Sequence, residues 1–594
     1  MRTAETVLSV IRERGQRKLP LFDLYRQLFN PDLYLRAYGR LYRNDGAMTQ
    51  GATAETVDGM SLAKIDMILE DVRYERYRWT PARRAHIPKK SGKTRPLGLP
   101  SWSDKLLQEV IRSLLEAYFE PQFSEHSHGF RPERGCHTAL VEIQRNWSGT
   151  KWFIEGDIRG CFDNIDHSVL LSILRQHIPD NRFLRLVENL LKAGYLEEWR
   201  YHPTLSGSPQ GGVVSPVLSN IYLHQLDMFV ERTLLPAYNH GKKRRANPYY
   251  GRMTYRASVL RKMGRHEAAA KIEQHRRHLS SGDPQDPDYR RLGYIRYADD
   301  WLLGFVGPKS EAEEIKAKIA TFLRETLKLE LSEEKTLITH ATTQKARFLG
   351  YDVVVQHCDT KCVAKRRIIN GVIGLRVPEA FVEERRRFYM KNGKPIHRME
   401  RTHEQDFTIL ARYQEEYRGY VQYYQLAVNL TWLNRLHHVM QSSLLKTLAH
   451  KHKSSVAKMA RKYRAKVETP YGPRRCLETR VERPNKKALV GRFGGIPLRR
   501  VDKAIVKDCS LSRGFSKQSE LVKRLLANEC EACGSTENVE VHHIRKLADV
   551  DQKGRRTKPD WMYLMASRRR KTLVLCRVCH DNLHAGRPLR SKTE

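Results

Sequence analysis

An α+β fold in several modules, closed by a small metal-stapled domain, is what this sequence predicts. Three observations predict it. Two short apolar runs deliver carboxylates, one ending at Asp157 and one turning at Asp299-Asp300. A basic stretch from about 378 to 470 keeps helical periodicity, and Cys530-Glu531-Ala532-Cys533 is matched near the C-terminus by Cys576-Arg577-Val578-Cys579. The 594 residues exceed one ordinary core, and at ~100–200 residues per domain they imply roughly three to five modules.

Composition narrows the partners. Lys and Arg number 107 against 67 Asp and Glu, a formal charge of +40 with pI ≈ 9.9. That excess fits a polyanionic partner whose binding weakens steeply with salt. No apolar run reaches membrane-spanning length and no lipidation signal is present, so no membrane partner is expected. Met1 to Arg17 lacks the apolar core of a secretory signal, and the expected setting is a reducing, cytoplasmic one. Four of the ten cysteines fall in the two Cys-x-x-Cys pairs, which favours metal over disulfides.

In chain order, residues 19 to 85 read as helical and basic, with Leu21, Leu24, Tyr25, Leu28, Tyr34 and Leu35 at helical spacing before an Asn44-Asp45-Gly46 turn. Ile87 to Pro100 reads as a basic β-hairpin turning at Ser91-Gly92, whose cations suit either a triphosphate or a general phosphate-facing surface. Asp104 to Tyr118 is helix-forming, and His128-Gly129-Phe130-Arg131-Pro132 comes next. Trp152 to Asp157 is an apolar strand ending on a carboxylate, with the ring of Phe162 five positions on. Ser208-Pro209-Gln210-Gly211-Gly212 gives a Gly-rich turn that allows close backbone approach, then a helix through Leu218, Ile221, Tyr222 and Leu226.

A polar, basic insertion covers roughly 233 to 292, with a helix through Ala268 to His278. Around Tyr297-Ala298-Asp299-Asp300 the flanking apolar residues predict a buried hairpin with both acids at its turn. Two negative charges there are costly unless a cation neutralises them. Paired carboxylates that hold two magnesium ions about 3.5–4 Å apart are a device for nucleotidyl transfer; an exposed Asp-Asp turn is the alternative. Lys335, within Leu331 to Thr336, sits beside Glu333 and Glu334, and Phe348-Leu349-Gly350-Tyr351 forms a further strand. From 378 to 470, Tyr413, Tyr417, Tyr420, Tyr423 and Tyr424 interleave with Arg412 and Arg418 on predicted helices, suited to a nucleic-acid grip or to a core. Residues 471 to 525 read as a basic connector. In the tail, four thiolates suit a closed zinc site, and His580 and His584 lie one helical turn apart.

In order, the blocks around Asp157, Gln210-Gly211 and Asp299-Asp300 resemble those of a reverse transcriptase. The Asn44-Asp45-Gly46 turn leading to Met48-Thr49-Gln50-Gly51, and the run Arg418-Gly419-Tyr420-Val421-Gln422-Tyr423-Tyr424, extend that resemblance to the group II intron-encoded proteins. It implies a right-hand polymerase: an N-terminal extension (1–85), fingers and palm (86–377), a helical thumb or maturase domain (378–470), a basic DNA-binding linker (471–525) and an HNH nuclease of ββα-metal type (526–594). It further implies Asp157, Asp299 and Asp300 as the Mg²⁺ triad, with Asp163 and Asp166 as weaker rivals for the first position. Lys89, Arg95, Phe162, Gln210, Gly211 and Lys335 would contact the incoming dNTP or templating pair, and Arg131, Arg418, Tyr423 and Tyr424 the RNA.

In the tail the resemblance implies Zn²⁺ on Cys530, Cys533, Cys576 and Cys579. His542, His580 and His584 would hold one divalent ion, with His543 as the base. Lys571 stands where many HNH sequences carry asparagine. The expected partners are the intron RNA, target DNA and dNTPs; no residue favours one oligomeric state. The implied activity copies RNA into DNA, assists splicing and nicks target DNA, in a bacterial cytoplasm or an organelle. A splicing cofactor without polymerase activity, or a defence-type reverse transcriptase fused to a nuclease, are the rivals.

Overall fold

The computed structural model describes residues 2–88, 92, 94–204, 206–207, 211–358, 361–363, 366–367, 369–484, 486–502, 519–544, 561–562, 565 and 570–589. Lys89 and Gln210 therefore lie outside the described residues.

Helices α1 (Ala4–Gln16) and α2 (Pro31–Leu41) start on side-chain caps from Thr3 and Asn30, each satisfying a backbone N–H left open by the first turn. The two-residue strand β1 (Met60–Ser61) runs into α3 (Leu62–Arg73), capped by Ser61. These elements share one apolar core with α4 (Trp102–Phe119), where Tyr34, Tyr38 and Trp102 are fully buried. The leucines and tyrosines read at helical spacing are thus a packing layer, and the same core runs on into the central sheet.

The basic hairpin is β2 (Ala82–Pro88) and β3 (Thr94–Leu99), antiparallel, in a sheet of order β3-β2-β5-β6 with β5 (Tyr195–Glu197) and β6 (Arg200–His202). The central sheet is β7-β8-β4-β9: β4 is Trp152–Asp157, β7 Arg291–Tyr297, β8 Asp300–Val306 and β9 Ile338–His340. β8 is flanked on both edges and reads as an unbroken apolar run, as a doubly covered strand should. Register is fixed by a size exchange. A Cβ on Gly156 would lie 2.0 Å from the ring of Trp301, its cross-strand partner, so only glycine leaves space for that buried indole. Helix α5 (Ser215–Phe229) backs the sheet. The insertion between them is a helical hairpin, α6 (Pro248–Lys262) and α7 (His266–Arg276), joined by an Arg261–Glu273 ion pair.

Strands β10 (Ala346–Phe348), β11 (Tyr351–Val355) and β12 (Ile373–Arg376) form the next sheet. It packs on the thumb helices α8 (Asp406–Tyr423) and α9 (Leu433–Lys451). The first part of the expected connector is folded. β13 (Arg464–Val467), β14 (Arg474–Arg483) and β15 (Lys486–Gly494) make an antiparallel sheet against α8, joined where the Gln414 amide donates to Gly494 O (3.2 Å) and accepts from Gly494 N (2.9 Å).

His437 stacks on Phe493, with centroids 4.9 Å apart and planes 6° apart. Burial first, and the charge of His438 second, push this imidazole down to about 4. A histidine neutral in the fold but protonatable when unfolded gives stability that is complete above its unfolded value and lost as pH falls through the folded one. Denaturant titrations should therefore show the thumb weakening between pH 6.5 and about 4, and His437→Phe should flatten that slope.

The C-terminal module comprises α10 (Glu520–Leu526), β16 (Val539–His543), β17 (Thr572–Cys576) and α11 (Arg577–His584). β16 pairs with β17 on one side and with β1 on the other.

Candidate functional site

The turn between β7 and β8 is tight: Tyr297 pairs with Asp300, and Ala298 takes φ 56°. Asp157 pairs directly with Asp300 across β4 and β8, so three carboxylates from distant segments meet at one sheet end. Asp163 lies beyond them in the 3-10 turn Cys161–Asp163, and Asp166 caps the helix His167–His177 through Val169 N (2.9 Å). That geometry disfavours both rivals. Burial first, then the charges of its neighbours, raises the Asp299 and Asp300 carboxyls; for Asp300 those neighbours are Asp299 and Asp157. The opposing pull on Asp299 comes first from a hydrogen bond with its own backbone and then from the charges of Arg95 and Lys335. A site that opposes ionisation of its own acids is one that a divalent cation would stabilise.

Lys335 does not pair with its neighbouring glutamates. Ser332 N donates to Asp157 O at 2.9 Å, which lays the loop along the end of β4, and Lys335 Nζ donates to Asp157 Oδ2 at 2.7 Å. Phe162 lies just after Gly160, which takes the left-handed φ of 53°, and its ring meets Phe130 edge-on at 6.2 Å. Gly211 has φ 104° and lies against the fingers hairpin; a Cβ there would come 2.6 Å from Gly98 O.

One positioning group is not evident from the sequence motifs. Arg296 is 0% exposed, donating to both carboxylate oxygens of Asp227 (2.7 and 2.6 Å), to Ser127 Oγ (2.8 Å) and to Ala298 O (2.8 Å). Tyr294 also donates to Asp227 (2.7 Å). The last Arg296 bond fixes the carbonyl immediately before Asp299. Its signal was present: Arg296 alternates with Tyr294 and Leu292 on the buried face of an apolar strand, where an unpaired cation is not tolerated.

Three residues expected at the RNA are engaged within the protein. Arg131 is 3% exposed and gives its guanidinium to Glu120, Ser124 O and Ser127 O, tying down its own loop. Tyr423 donates to Leu349 O (2.7 Å) and Tyr424 to Gly350 O (3.2 Å), while Tyr351 packs between them. These two tyrosines are the joint between the central sheets and the thumb. Their carbonyl-seeking hydroxyls are taken, which base-stacking residues would not require. Arg418, in contrast, is exposed on α8. Tyr423→Phe is expected to lower stability by about 1 kcal/mol, the worth of one hydrogen bond, and to leave RNA affinity unchanged in a filter-binding assay.

In the tail, the sulfurs of Cys530, Cys533, Cys576 and Cys579 lie within 4.8 Å of one another, with Cys533 and Cys576 at 3.7 Å. Four thiolates at ~2.3 Å from zinc would sit about 3.8 Å apart, so the donor set fits Zn²⁺. Arg524 Nε on α10 donates to Glu531 (3.0 Å) and steadies the first knuckle. His542 Nδ1, His580 Nε2 and His584 Nε2 converge, with His580 3.1 Å from each of the other two. Glu540 Oε1 accepts from His580 Nδ1 at 2.8 Å, orienting that ring as carboxylates orient metal-bound imidazoles.

Asp58, unforeseen in sequence, joins the cluster. His543 does not. Adjacent strand residues point to opposite faces, and its Nε2 meets Tyr38 OH at 2.9 Å in a buried pocket where burial pushes the imidazole down to about 3. Lys571 is exposed at the start of β17, its carbonyl accepting from Ile544 N at 3.0 Å.

Known families match three stretches of the chain. Residues 87–245 match the family of reverse transcriptases (RNA-dependent DNA polymerase), 376–487 the type II intron maturases and 530–580 the AI2M/AI1M-like HNH endonucleases. The chain is 36% identical to the group II intron-encoded protein LtrA of Lactococcus lactis subsp. cremoris, over 98% of this chain and 99% of that one. It is 34% identical to an uncharacterized 91 kDa protein in a cob intron of Schizosaccharomyces pombe, over 95% and 70% of the two chains. It is 39% identical to the mitochondrial protein ymf11 of Marchantia polymorpha over 39% and 30%. Among the described residues no helix is long and apolar enough to cross a membrane. With three domain matches in the expected order and a relative aligned end to end, the chain belongs to the group II intron-encoded proteins, joining an RNA-directed DNA polymerase and a maturase to an HNH endonuclease.

Proposed function

We propose that the protein binds its intron RNA, nicks a DNA target with the C-terminal nuclease, and extends the nick in the central sheet by copying the RNA. The observation that supports this most is the meeting of Asp157 with Asp299 and Asp300 beside Lys335 and Arg95. Magnesium bound there would supply the charge that activates a 3′-hydroxyl and eases departure of pyrophosphate. The three carboxylates provide the oxygens. Arg95, with Lys89, meets the triphosphate of the dNTP; Phe162 borders the sugar, and Gln210 with Gly211 the templating pair. Lys335, released from Asp157 when the carboxylate takes up metal, is left with its ammonium free to give a proton to pyrophosphate. Arg418 and the basic surface of α8 contact RNA.

In the tail, Zn²⁺ on the four cysteines is structural, and His542, His580 and His584 hold the divalent ion of the nuclease. The expected setting is bacterial cytoplasm, with an organelle as the second. The test uses the protein with its copurifying RNA, a duplex DNA and labelled dNTPs. Label should join the 3′ end at the nick, and His584→Ala should abolish both nick and label while extension of an annealed primer survives. Tight RNA binding without extension of any primer would favour the splicing-cofactor reading.

A further inference from the structure

We infer that Asp58, on the N-terminal extension, is a fourth protein ligand of the nuclease metal, and that through it the extension holds the nuclease closed. This rests on the histidine metal site proposed above.

The geometry carries this. Asp58 Oδ1 lies 3.3 Å from His542 Nδ1 and 3.3 Å from His580 Nε2, and Oδ2 lies 2.9 Å from His584 Nε2. With the two histidine separations of 3.1 Å, one carboxylate and three ring nitrogens gather closely enough for a single ion, the four donors lying within 4.8 Å of one another. Ligands at ~2.0–2.2 Å from a central ion would sit about 3.4 Å apart. Hydrogen bonds alone do not explain the cluster. His580 Nδ1 serves Glu540, so its Nε2 faces two other ring nitrogens and a carboxylate; a single N–H satisfies one of the three, whereas a cation satisfies all.

The carboxylate is built into place. His543 N donates to Asp58 Oδ1 at 2.7 Å, and Gly59 N to Val541 O at 3.0 Å. The pairs Met60–Val541 and Ser61–Glu540 then add β1 as a third strand to the nuclease sheet.

The nuclease is thereby restrained. A metal with four protein ligands is a closed, structural type of site, while a hydrolytic one keeps a position open for water or substrate. Asp58 fills that position with a carboxylate oxygen, the same kind of donor that a scissile phosphate would bring. Meanwhile His543, the expected base, is turned away into the pocket of Tyr38 and Tyr42. The Asp58 restraint comes from the N-terminal extension, and it is released if β1 leaves β16. The strand junction is two residue pairs long, short enough to part when target DNA offers its phosphate in place of Asp58.

The experiment takes the full chain with zinc in the four-cysteine site and titrates Co²⁺ into the second. The native protein should show the intense absorption of four-coordinate cobalt. Asp58→Asn should lose that intensity and bind Co²⁺ about tenfold more weakly, while nicking duplex DNA without RNA about tenfold faster. An unchanged spectrum and affinity would show that Asp58 is no ligand; a weakened spectrum with slower nicking would show a ligand of the working nuclease, and the closed-state inference would fall. His584→Ala separates this from the underlying site: if it leaves cobalt binding intact, the histidine metal site itself is wrong.

Discussion

Asp299→Ala protein is expected to bind RNA at close to native affinity and to extend a primer at least about a thousandfold more slowly. Loss of one metal-bridging oxygen removes several kcal/mol of charge stabilisation in the transition state, and each ~1.4 kcal/mol is tenfold in rate. RNA affinity rests instead on phosphate contacts spread over a chain of net charge +40. Removing a half-buried negative charge from a site that already resists ionisation should leave stability unharmed or slightly raised without Mg²⁺. Primer extension on an RNA template, with a thermal melt alongside, checks both halves. Extension surviving at a tenth of the native rate would sink the role assigned to Asp299.

Arg296→Met is expected to destabilise the central sheet by about 3–5 kcal/mol, because it strands Asp227 as an uncompensated buried carboxylate. Asp227 is fully buried, with its carboxyl held down by Arg296 despite desolvation. The double replacement Arg296→Met with Asp227→Leu should recover much of that stability, since a buried ion pair is often no better than apolar groups of similar volume. It should not recover polymerase activity, because the Arg296 bond to Ala298 O, which sets the turn before Asp299, is absent in both. Urea titration and primer extension on the three proteins separate the two roles. Full activity in the double variant would reduce Arg296 to a stabilising residue.

How much of this was legible in the sequence varies with how local each signal is. The hairpin at Asp299-Asp300 and the strand ending at Asp157 were readable because short apolar runs that deliver carboxylates are local features. The cysteine pairs were readable because ligand spacing is. Tyr423 and Tyr424 were ambiguous because an aromatic residue beside arginines looks alike in a core and on a grip, and the carbonyls of Leu349 and Gly350 that engage their hydroxyls lie far off in sequence. The partners of Arg131 are local, but two of them are backbone carbonyls, which carry no side-chain signal. The connector was read only as a basic linker because its Pro, Gly and charged residues mask strands whose apolar side meets α8. Asp58 carried no signal at all, since its partners lie nearly the whole chain away.

The amide clasp between Gln414 and Gly494 has a mechanical meaning. It fastens the β13–β15 sheet to the middle of α8, while Tyr423 at the end of that helix is bolted to the turn at Leu349. Helix α8 is thus a rigid spoke with an anchor at each of two stations. A load on that sheet is carried by the same spoke that holds the turn before β11, so the two sheets move as one body.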